Sequence, residues 1–245
     1  MKDIVIFGAG GLGRLTRDIL LQGALYRPIA YLDSDLSKHG QTLDGLTILG
    51  RLAVLSSARV AAIAGIVVAI GDSRERVRIA ELARERGTPL LSAIHPLASV
   101  SPSARLGEHL IVGARVSICV HAVVGPHCVL AAGSIIEHDN VIGRGVRLDP
   151  AVRLAGGVRI GAFASLGIGA CVIPGKRVGH DARIEPGAVV IHDVAAGETV
   201  GGVPARPCTG RDPVRTAASR SEREPEPLAR VTVEARADGA IAGSS

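Results

Sequence analysis

A strict six-residue period constrains this sequence more than any other feature. An aliphatic residue recurs at every sixth position from Val100 to Val190, sixteen times without an insertion, and the next residue is often glycine. This pattern is typical of a hexapeptide β-helix, in which each hexapeptide forms one flat face of a triangular prism and three of them make one coil. We therefore predict a left-handed parallel β-helix of about five coils, in a domain that spans residues 95–207.

The composition agrees with such a repeat and excludes several classes of protein. Hydrophobic residues make up 47% of the chain and aromatic residues only 2%, so the core must be filled by small aliphatic side chains. The net charge of +5 is spread along the chain without a basic stripe interleaved with aromatics, so we expect no nucleic-acid partner. No apolar run is long enough for a membrane span, and no membrane insertion is expected. The absence of a CxxC pair and of a secretory leader favours a reduced, cytoplasmic protein.

Residues 1–94 alternate between strand and helix patterns. Short apolar runs over residues 4–7, 29–32, 66–70 and 90–94 predict strands, and residues 14–22 and 73–86 predict helices. Asp72 and Glu75 read as a capping box that opens the second helix. This alternation predicts a Rossmann-like α/β domain with a parallel sheet. Residues 208–245, rich in Arg, Glu, Pro, Ala and Ser, predict a disordered tail.

A glycine-rich turn after the first strand predicts a nucleotide site. Gly8, Gly10 and Gly13 stand in the spacing that lets a backbone approach phosphates at the N-terminus of a helix. Asp33 ends the next strand, where a carboxylate can accept hydrogen bonds from a ribose. About ninety residues leave room for roughly half of a dinucleotide fold, so a single nucleotide, as in a nucleotide-linked sugar, fits better than NAD.

Several motifs together resemble a known family, the sialic acid O-acetyltransferase (NeuD-type) family of hexapeptide-repeat sugar acyltransferases, which includes UDP-4-amino-sugar N-acetyltransferases. The resemblance covers residues 2–207. It rests on Ile6-Phe7-Gly8-Ala9-Gly10-Gly11-Leu12-Gly13, Leu32-Asp33, Ala69-Ile70-Gly71-Asp72, Ile94-His95-Pro96, Ile136-Glu137-His138-Asp139, Leu154-Ala155-Gly156-Gly157 and Gly202-Val203-Pro204-Ala205-Arg206. Two positions depart from the family pattern, because Leu12 and Arg147 stand where relatives often carry histidine.

The resemblance implies an acetyl-CoA-dependent transferase that acts on a nucleotide-linked sugar. It implies a homotrimer whose active site lies in the cleft between adjacent β-helices. The nucleotide-linked sugar is expected at Gly8, Gly10, Gly11, Leu12, Gly13, Asp33, Ser34, Ile70 and Ser73. Coenzyme A is expected along Gly156, Ile168 and Gly187, with Arg147 near the acyl group or a phosphate and Arg206 near the phosphates.

Acyl transfer needs a base for the attacking amine or hydroxyl, and histidine is suited to that task near neutral pH. Of the eight histidines, His138 matches the family motif, and its neighbour Asp139 could hold the tautomer of the ring. Residues 18 apart stack on neighbouring coils, so His138 should lie over Gly156 and Asp139 over Gly157. These two glycines are expected to leave space beside the imidazole for a thioester.

Three hypotheses follow for the activity. The first is acetylation of an amino group on a nucleotide-linked sugar, and the second is O-acetylation of a sugar hydroxyl, as in sialic acid. The third is a non-catalytic scaffold that binds a nucleotide. A zinc site, as in the β-helical carbonic anhydrases, is disfavoured because zinc needs three converging histidines and His121 and His127 occupy different faces.

Overall fold

The structure is a computed structural model that describes residues 1–57, 60 and 62–208. Residues 1–209 form one compact unit. The tail predicted for residues 208–245 lies outside the described residues, apart from Cys208. Within the described residues, no helix is both long and apolar enough to cross a membrane.

The N-terminal part is a small parallel α/β domain, as predicted. Its elements in chain order are β1 (Lys2–Phe7), α1 (Gly11–Gly23), β2 (Tyr26–Leu32), β3 (Thr42–Leu43), β4 (Leu46–Thr47), β5 (Gly65–Val68) and α2 (Ser73–Glu85), with short 3₁₀ turns at Leu36–Lys38 and Leu52–Ser56. The sheet has the order β2-β1-β5 with all three strands parallel. Parallel strands place their carboxyl ends at one edge, so the turns after β1, β2 and β5 lie together there.

Two local predictions in this domain have different outcomes. The Asp72 carboxylate accepts a hydrogen bond from the Glu75 backbone N–H at 2.8 Å and caps α2, as expected. The Glu75 carboxylate instead pairs with Arg78, so the reciprocal half of the capping box is missing. The strand predicted over residues 90–94 is divided, because Leu90 bridges β5 whereas Ala93–Ile94 pairs with the β-helix.

The C-terminal part is the predicted left-handed parallel β-helix, with three faces that we call A, B and C. Face A consists of Ala93–Ile94, Ile111–Val112, Val129–Leu130, Arg147–Leu148, Ser165–Leu166, Arg183–Ile184 and Thr199–Gly201, with the antiparallel strand Arg206–Pro207 beside the last. Face B consists of Ser99–Val100, Ser117–Ile118, Ile135–Ile136, Arg153–Leu154, Cys171–Val172 and Val189–Val190. Face C consists of Arg105–Leu106, Val123–Val124, Val141–Ile142, Arg159–Ile160 and Arg177–Val178.

In each two-residue strand, the second residue points into the prism; the strands at the two ends of the prism are exceptions. From Val112 onward these predicted aliphatic residues are buried and form one continuous core. Neighbouring strands on a face are 18 residues apart, as in Ile136 and Leu154. The last coil is shorter, since Ile184 pairs with Val200. The helix therefore extends beyond the strict six-residue register at its C-terminal end.

Three edges join the faces, and we name each by the faces it joins: AB, BC and CA. From His109 to Gly187, each turn carries one residue with positive φ at a fixed position, often glycine but also Asp139 (φ 59°) and His127 (φ 61°). A left-handed conformation favours Gly, Asn and Asp. The repeat of this conformation keeps the corners superimposed from coil to coil.

The N-terminal domain packs against the first three strands of face A and along edge CA. Ala93, Ile111 and Val129 of face A share an apolar cluster with β1, α1 and β2. Helix α2 runs down edge CA, and its contacts descend by one coil at a time: Arg74 with Asp181 and Phe163, Arg76 with Gly145, Glu81 with His127, and Arg84 with Glu108. The rise of an α-helix over these ten residues, about 15 Å, is close to the height of three coil spacings, about 14 Å, between Phe163 under Arg74 and Glu108 beside Arg84.

Candidate active site

The glycine-rich turn is shaped by close backbone approaches on one side and is open on the other. A Cβ on Gly8, whose φ is +111°, would lie 2.5 Å from the Ala69 carbonyl oxygen, and a Cβ on Gly13 would lie 1.8 Å from the Gly8 oxygen. In contrast, Cβ positions on Gly10 and Gly11 have no neighbour within 4 Å. Gly8 and Gly13 therefore hold the turn in shape. Gly10 and Gly11 leave its surface accessible at the N-terminus of α1, where anions are stabilised.

Asp33 ties this turn to the end of β2. One carboxylate oxygen accepts hydrogen bonds from the Ala9 backbone N–H at 2.8 Å and from Lys38 Nζ at 3.1 Å, and the other accepts from the Asp35 N–H. A carboxylate has about four acceptor positions, so three are already used by the protein. Contact with a ribose stays a prediction, and the observed bonds give Asp33 a structural role.

The remaining residues predicted to contact the nucleotide lie at the same edge of the sheet. Ser34 is exposed just after β2, and Ser73 is half-buried at the start of α2. Ile70 lies beside the glycine turn, with its Cγ1 3.6 Å from the Cβ position of Gly8. The structure therefore brings the three turns together, as the parallel topology requires.

A cleft continues from the glycine turn towards the β-helix. Its volume is about 250 Å³ and it lies between α1 and face A. It is lined by Gly11, Leu12, Leu15, Ile19, Ile111, Gly113, Val129, Leu130, Ala131, Arg147, Asp149 and Pro150. Most of this wall is apolar, and its charged groups are Arg147 and Asp149, joined by a 2.7 Å hydrogen bond from Arg147 Nε. Leu12 and Arg147, which replace histidines of the family pattern, thus share one cleft next to edge AB.

His138 lies on edge BC and forms a dyad with Asp139. The Nδ1 atom of His138 is 2.8 Å from Asp139 Oδ2, and both side chains are more than half exposed. A Cβ on Gly156 would lie 2.4 Å from His138 Nε2, which confirms that the ring stacks over that glycine. The prediction of open space at Gly156 is wrong, because the imidazole of His138 itself fills that space. Gly157 has no neighbour within 4 Å of its Cβ position and is the open one of the pair.

Comparison with known proteins places this geometry in a family. A family profile described as the PglD N-terminal domain matches residues 3–83. A histidine-to-asparagine mutant of perosamine N-acetyltransferase from Caulobacter crescentus, in complex with CoA and GDP-perosamine, is 35% identical, with a TM-score of 0.79, and the match covers 85% of this chain and 97% of that one. The chain belongs to the NeuD/PglD-type sugar acetyltransferases.

Two further solved structures resemble this chain. The acetyltransferase domain of PglB from Neisseria gonorrhoeae is 29% identical to this sugar acetyltransferase, with a TM-score of 0.78, covering 85% of this chain and 100% of that one. WeeI from Acinetobacter baumannii is 23% identical, covers 85% of this chain and 100% of its own, and shares the fold with a TM-score of 0.63. Among curated protein sequences, none matches significantly.

The residues of this acetyltransferase expected near coenzyme A lie on different edges of the prism. Gly156 is on edge BC with His138. Ile168, which is 57% exposed, and Gly187 lie on edge AB and are joined by a hydrogen bond from the Gly187 N–H to the Ile168 carbonyl. Arg206 is exposed in the last strand, and Arg147 lies in the face A cleft. A single chain therefore does not bring the five together.

The acetyltransferase has a second His-Asp dyad, which the motifs above do not include. His180 Nδ1 lies 3.0 Å from Asp181 Oδ2 on edge CA, and Asp181 has the same positive φ as Asp139. The hydrogen bond with His180 and the bond from Arg74 hold the pKa of Asp181 below its usual range. The signal was available, since the His-Asp pair recurs after 42 residues, a multiple of six.

Two other histidines of the acetyltransferase are buried under α2. His109 accepts a hydrogen bond from the Val68 N–H at 2.8 Å through Nε2, and its Nδ1 lies 3.0 Å from Nδ1 of His127. Burial lowers the pKa of His109 to about 3, with a smaller contribution from His127, so the ring is neutral at physiological pH. This pair links the end of β5 to the β-helix. Among the described residues, no group of three or more His, Cys, Asp or Glu could hold a metal.

Proposed function

We propose that this sugar acetyltransferase transfers the acetyl group of acetyl-CoA to an amino group of a nucleotide-linked amino sugar, with His138 as the general base. The observation that carries this proposal is the exposed His138–Asp139 dyad, with the ring over Gly156 and open surface at Gly157. The complex of the Caulobacter relative with CoA and GDP-perosamine supports the classes of donor and acceptor.

The dyad suits both proton transfers of the reaction. Asp139 accepts from Nδ1–H of His138, which leaves Nε2 unprotonated and able to accept a proton. As the sugar amine attacks the thioester carbonyl, His138 takes a proton from the amine. When the tetrahedral adduct collapses, the C–S bond breaks, the amide forms, and the protonated imidazole returns the proton to the leaving thiolate. No oxidant or other co-reactant is needed.

In one chain, the acceptor cleft and His138 lie at the two opposite edges that border face B. The cleft opens beside edge AB, at Gly113, Ala131 and Pro150, whereas His138 lies on edge BC. A substrate held in the cleft therefore meets His138 only if a second subunit supplies it. We infer a composite site, formed by the cleft of one subunit and the dyad of the next.

The outward residues of the faces support a homotrimer built on face B. Those of face B are Ser99, Ser117, Ile135, Arg153, Cys171 and Val189, with one charge among six. Those of face C are Arg105, Val123, Val141, Arg159 and Arg177, with three charges among five. Charged residues are depleted at the centre of interfaces. Packing three B faces around a three-fold axis would bring edge AB of each subunit to edge BC of its neighbour, and with it Ile168 and Gly187 to Gly156.

The substrate class is tested by measuring thiol release from acetyl-CoA with UDP-, dTDP- and GDP-linked amino sugars, each paired with the sugar that has a hydroxyl in place of the amine. We expect turnover with the amino sugars of one nucleotide only. Turnover confined to the hydroxyl sugars would establish O-acetylation instead. No turnover with any acceptor, by a protein that still binds a nucleoside diphosphate, would favour the scaffold.

The role of His138 is tested by replacing each dyad histidine in turn. His138→Ala should lower kcat by about 10²-fold or more, as expected for a lost general base, with the trimer intact by sedimentation. His180→Ala is the matched control, because His180 has the same bond to a following aspartate but lies on edge CA. The reverse result, with turnover lost only in His180→Ala, would move the base to His180.

A further inference from the structure

Arg76 is a buried arginine whose hydrogen bonds are all made to neutral oxygens. It lies on α2 and is 1% exposed. Its five N–H groups point at five acceptors: His127 O at 3.1 Å from Nε, Ile70 O at 2.8 Å and Gly71 O at 3.3 Å from Nη1, and Ser73 Oγ at 3.0 Å and Gly145 O at 3.2 Å from Nη2. Within the part of the chain that the structure describes, no carboxylate forms an ion pair with Arg76.

Such an arrangement is poorly explained by stability alone. Removal of a charge from water opposes folding, and an apolar side chain of similar volume often serves a protein interior as well or better. Burial lowers the pKa of Arg76 to about 10, so the group remains charged at neutral pH in spite of that cost. Five well-placed donors in a fixed plane are what arginine offers and what lysine, with three, cannot.

The five acceptors belong to two separate parts of the molecule. Ile70, Gly71 and Ser73 form the turn after β5, which lies beside the glycine-rich turn. His127 and Gly145 are 18 residues apart and stack on consecutive coils of edge CA. Arg76 therefore fixes the position of the turn relative to the β-helix.

The bond to Ser73 also sets the direction of its hydroxyl. Because Ser73 Oγ accepts from Arg76, the hydroxyl hydrogen is free to point away from the guanidinium. Ser73 is half-buried, so it has an accessible side. Its hydroxyl is thereby oriented as a donor, the role needed to bind an oxygen of a ribose, a base or a phosphate.

We propose that Arg76 is a positioning residue of the acceptor site, which holds the turn 70–73 against edge CA and orients the Ser73 hydroxyl towards the nucleotide. This proposal rests on the proposed function in one respect, namely that the carboxyl edge of the sheet binds a nucleotide. It assigns no contact between Arg76 and the substrate. Arg76 acts through Ser73 and through the carbonyls that it holds.

The kinetic test compares Arg76→Lys with Arg78→Lys. Arg78 lies on the same helix, is exposed and pairs with Glu75 of that helix, so its variant controls for the loss of an arginine. Arg76→Lys should raise KM for the nucleotide sugar about tenfold, the effect of one lost hydrogen bond to a charged group, and leave KM for acetyl-CoA within about twofold. Arg78→Lys should change neither. Equal changes in both KM values, or a fall in kcat that follows the loss of folded protein, would reduce Arg76 to a structural role.

A binding test decides the proposal without turnover. Calorimetric titration of GDP, UDP and dTDP into the full chain should give a dissociation constant about tenfold higher for Arg76→Lys and for Ser73→Ala than for the unmodified protein. The double variant should be no weaker than either single one, because both changes remove the same oriented donor. If Arg76→Lys does not fold, Ser73→Ala decides alone, and an unchanged affinity overturns the proposal.

These measurements also separate the proposal from the proposed function. A protein that binds a nucleoside diphosphate but transfers no acetyl group would refute the proposed function, and the titrations would still decide the role of Arg76. A protein that binds none of the three nucleoside diphosphates would refute the positioning role itself.

Discussion

Gly156→Ala should make the protein less active without making it less stable. The backbone at this register position accepts alanine elsewhere, since Ala114, Ala132 and Ala162 occupy it on other turns. Gly156 has no positive φ, so an added Cβ meets no backbone strain. Its nearest neighbours would be Nε2 and Cε1 of His138, at 2.4 and 2.5 Å. The substitution therefore acts on the position of one imidazole.

The size of the effect follows from these distances. Two non-bonded heavy atoms are comfortable at about 3.5–4.0 Å, so the ring must move by roughly 1 Å or rotate away from Asp139. A displacement of about 1 Å in a reacting group can lower the rate by about 10²-fold. In the unfolded chain, alanine has fewer accessible conformations than glycine, which stabilises the folded state by about 0.4–1 kcal/mol. We expect kcat to fall by about two orders of magnitude while the melting temperature stays the same or rises.

The assay is thiol release under saturating acetyl-CoA and acceptor, with thermal unfolding followed by circular dichroism on the same samples. The control is a double-mutant cycle with His138→Ala, because Gly156→Ala should have almost no effect on kcat once the imidazole is gone. Wild-type turnover in Gly156→Ala would refute the reasoning. An equal loss of rate with and without His138 would show instead that Gly156 acts on the bound donor.

Two further predictions concern charge and protonation. Asp139→Asn should lower kcat by at least about tenfold, because a neutral amide cannot stabilise the imidazolium that forms on His138. The stability of the fold should be retained, because asparagine tolerates positive φ. Unchanged turnover, measured by thiol release, would contradict the role of Asp139. The free energy of unfolding should fall as the pH drops from 6.5 to about 3, by up to about 5 kcal/mol from His109 alone, because the unfolded chain takes up a proton near pH 6.5 and the folded one does so only near pH 3. In urea unfolding at several pH values, the free energy of unfolding should depend less on pH in His109→Gln than in the unmodified protein. The same pH dependence in both proteins would refute the role of His109.

The β-helix and part of the site could be predicted because both depend on a fixed register. An inward aliphatic at every sixth residue determines the prism, and a spacing of 18 places His138 over Gly156 without knowledge of any other contact. His109 and His127 are also 18 residues apart, and their Nδ1 atoms lie 3.0 Å apart. Periodicity predicts which residues stack on neighbouring coils, because every coil repeats the geometry of the one before.

Burial and orientation could not be predicted, because they depend on where the N-terminal domain packs. Helical periodicity places Arg76 on the same face as Ala80 and Ala83, but it does not show that a charged side chain there is fully buried, as Arg76 is, whereas Arg78 is exposed. The pKa of His109 is lowered chiefly by burial, and the ring is buried at an edge that α2 covers. The short last coil is likewise invisible to a six-residue pattern, because the pairing of Ile184 with Val200 skips two residues.

The departures from the family pattern gain meaning from the same packing. Leu12 and Arg147 are far apart in sequence, and each alone would read as a loss of function. In the structure they line one cleft, where Leu12 contributes to an apolar wall and Arg147 is held by Asp149. The dyad on edge BC lies outside this cleft and keeps both of its residues. Under the proposed function, the two substitutions alter the surface proposed to contact the acceptor and leave the proposed base in place, so we expect them to affect which sugar is acetylated and not whether acetyl transfer occurs.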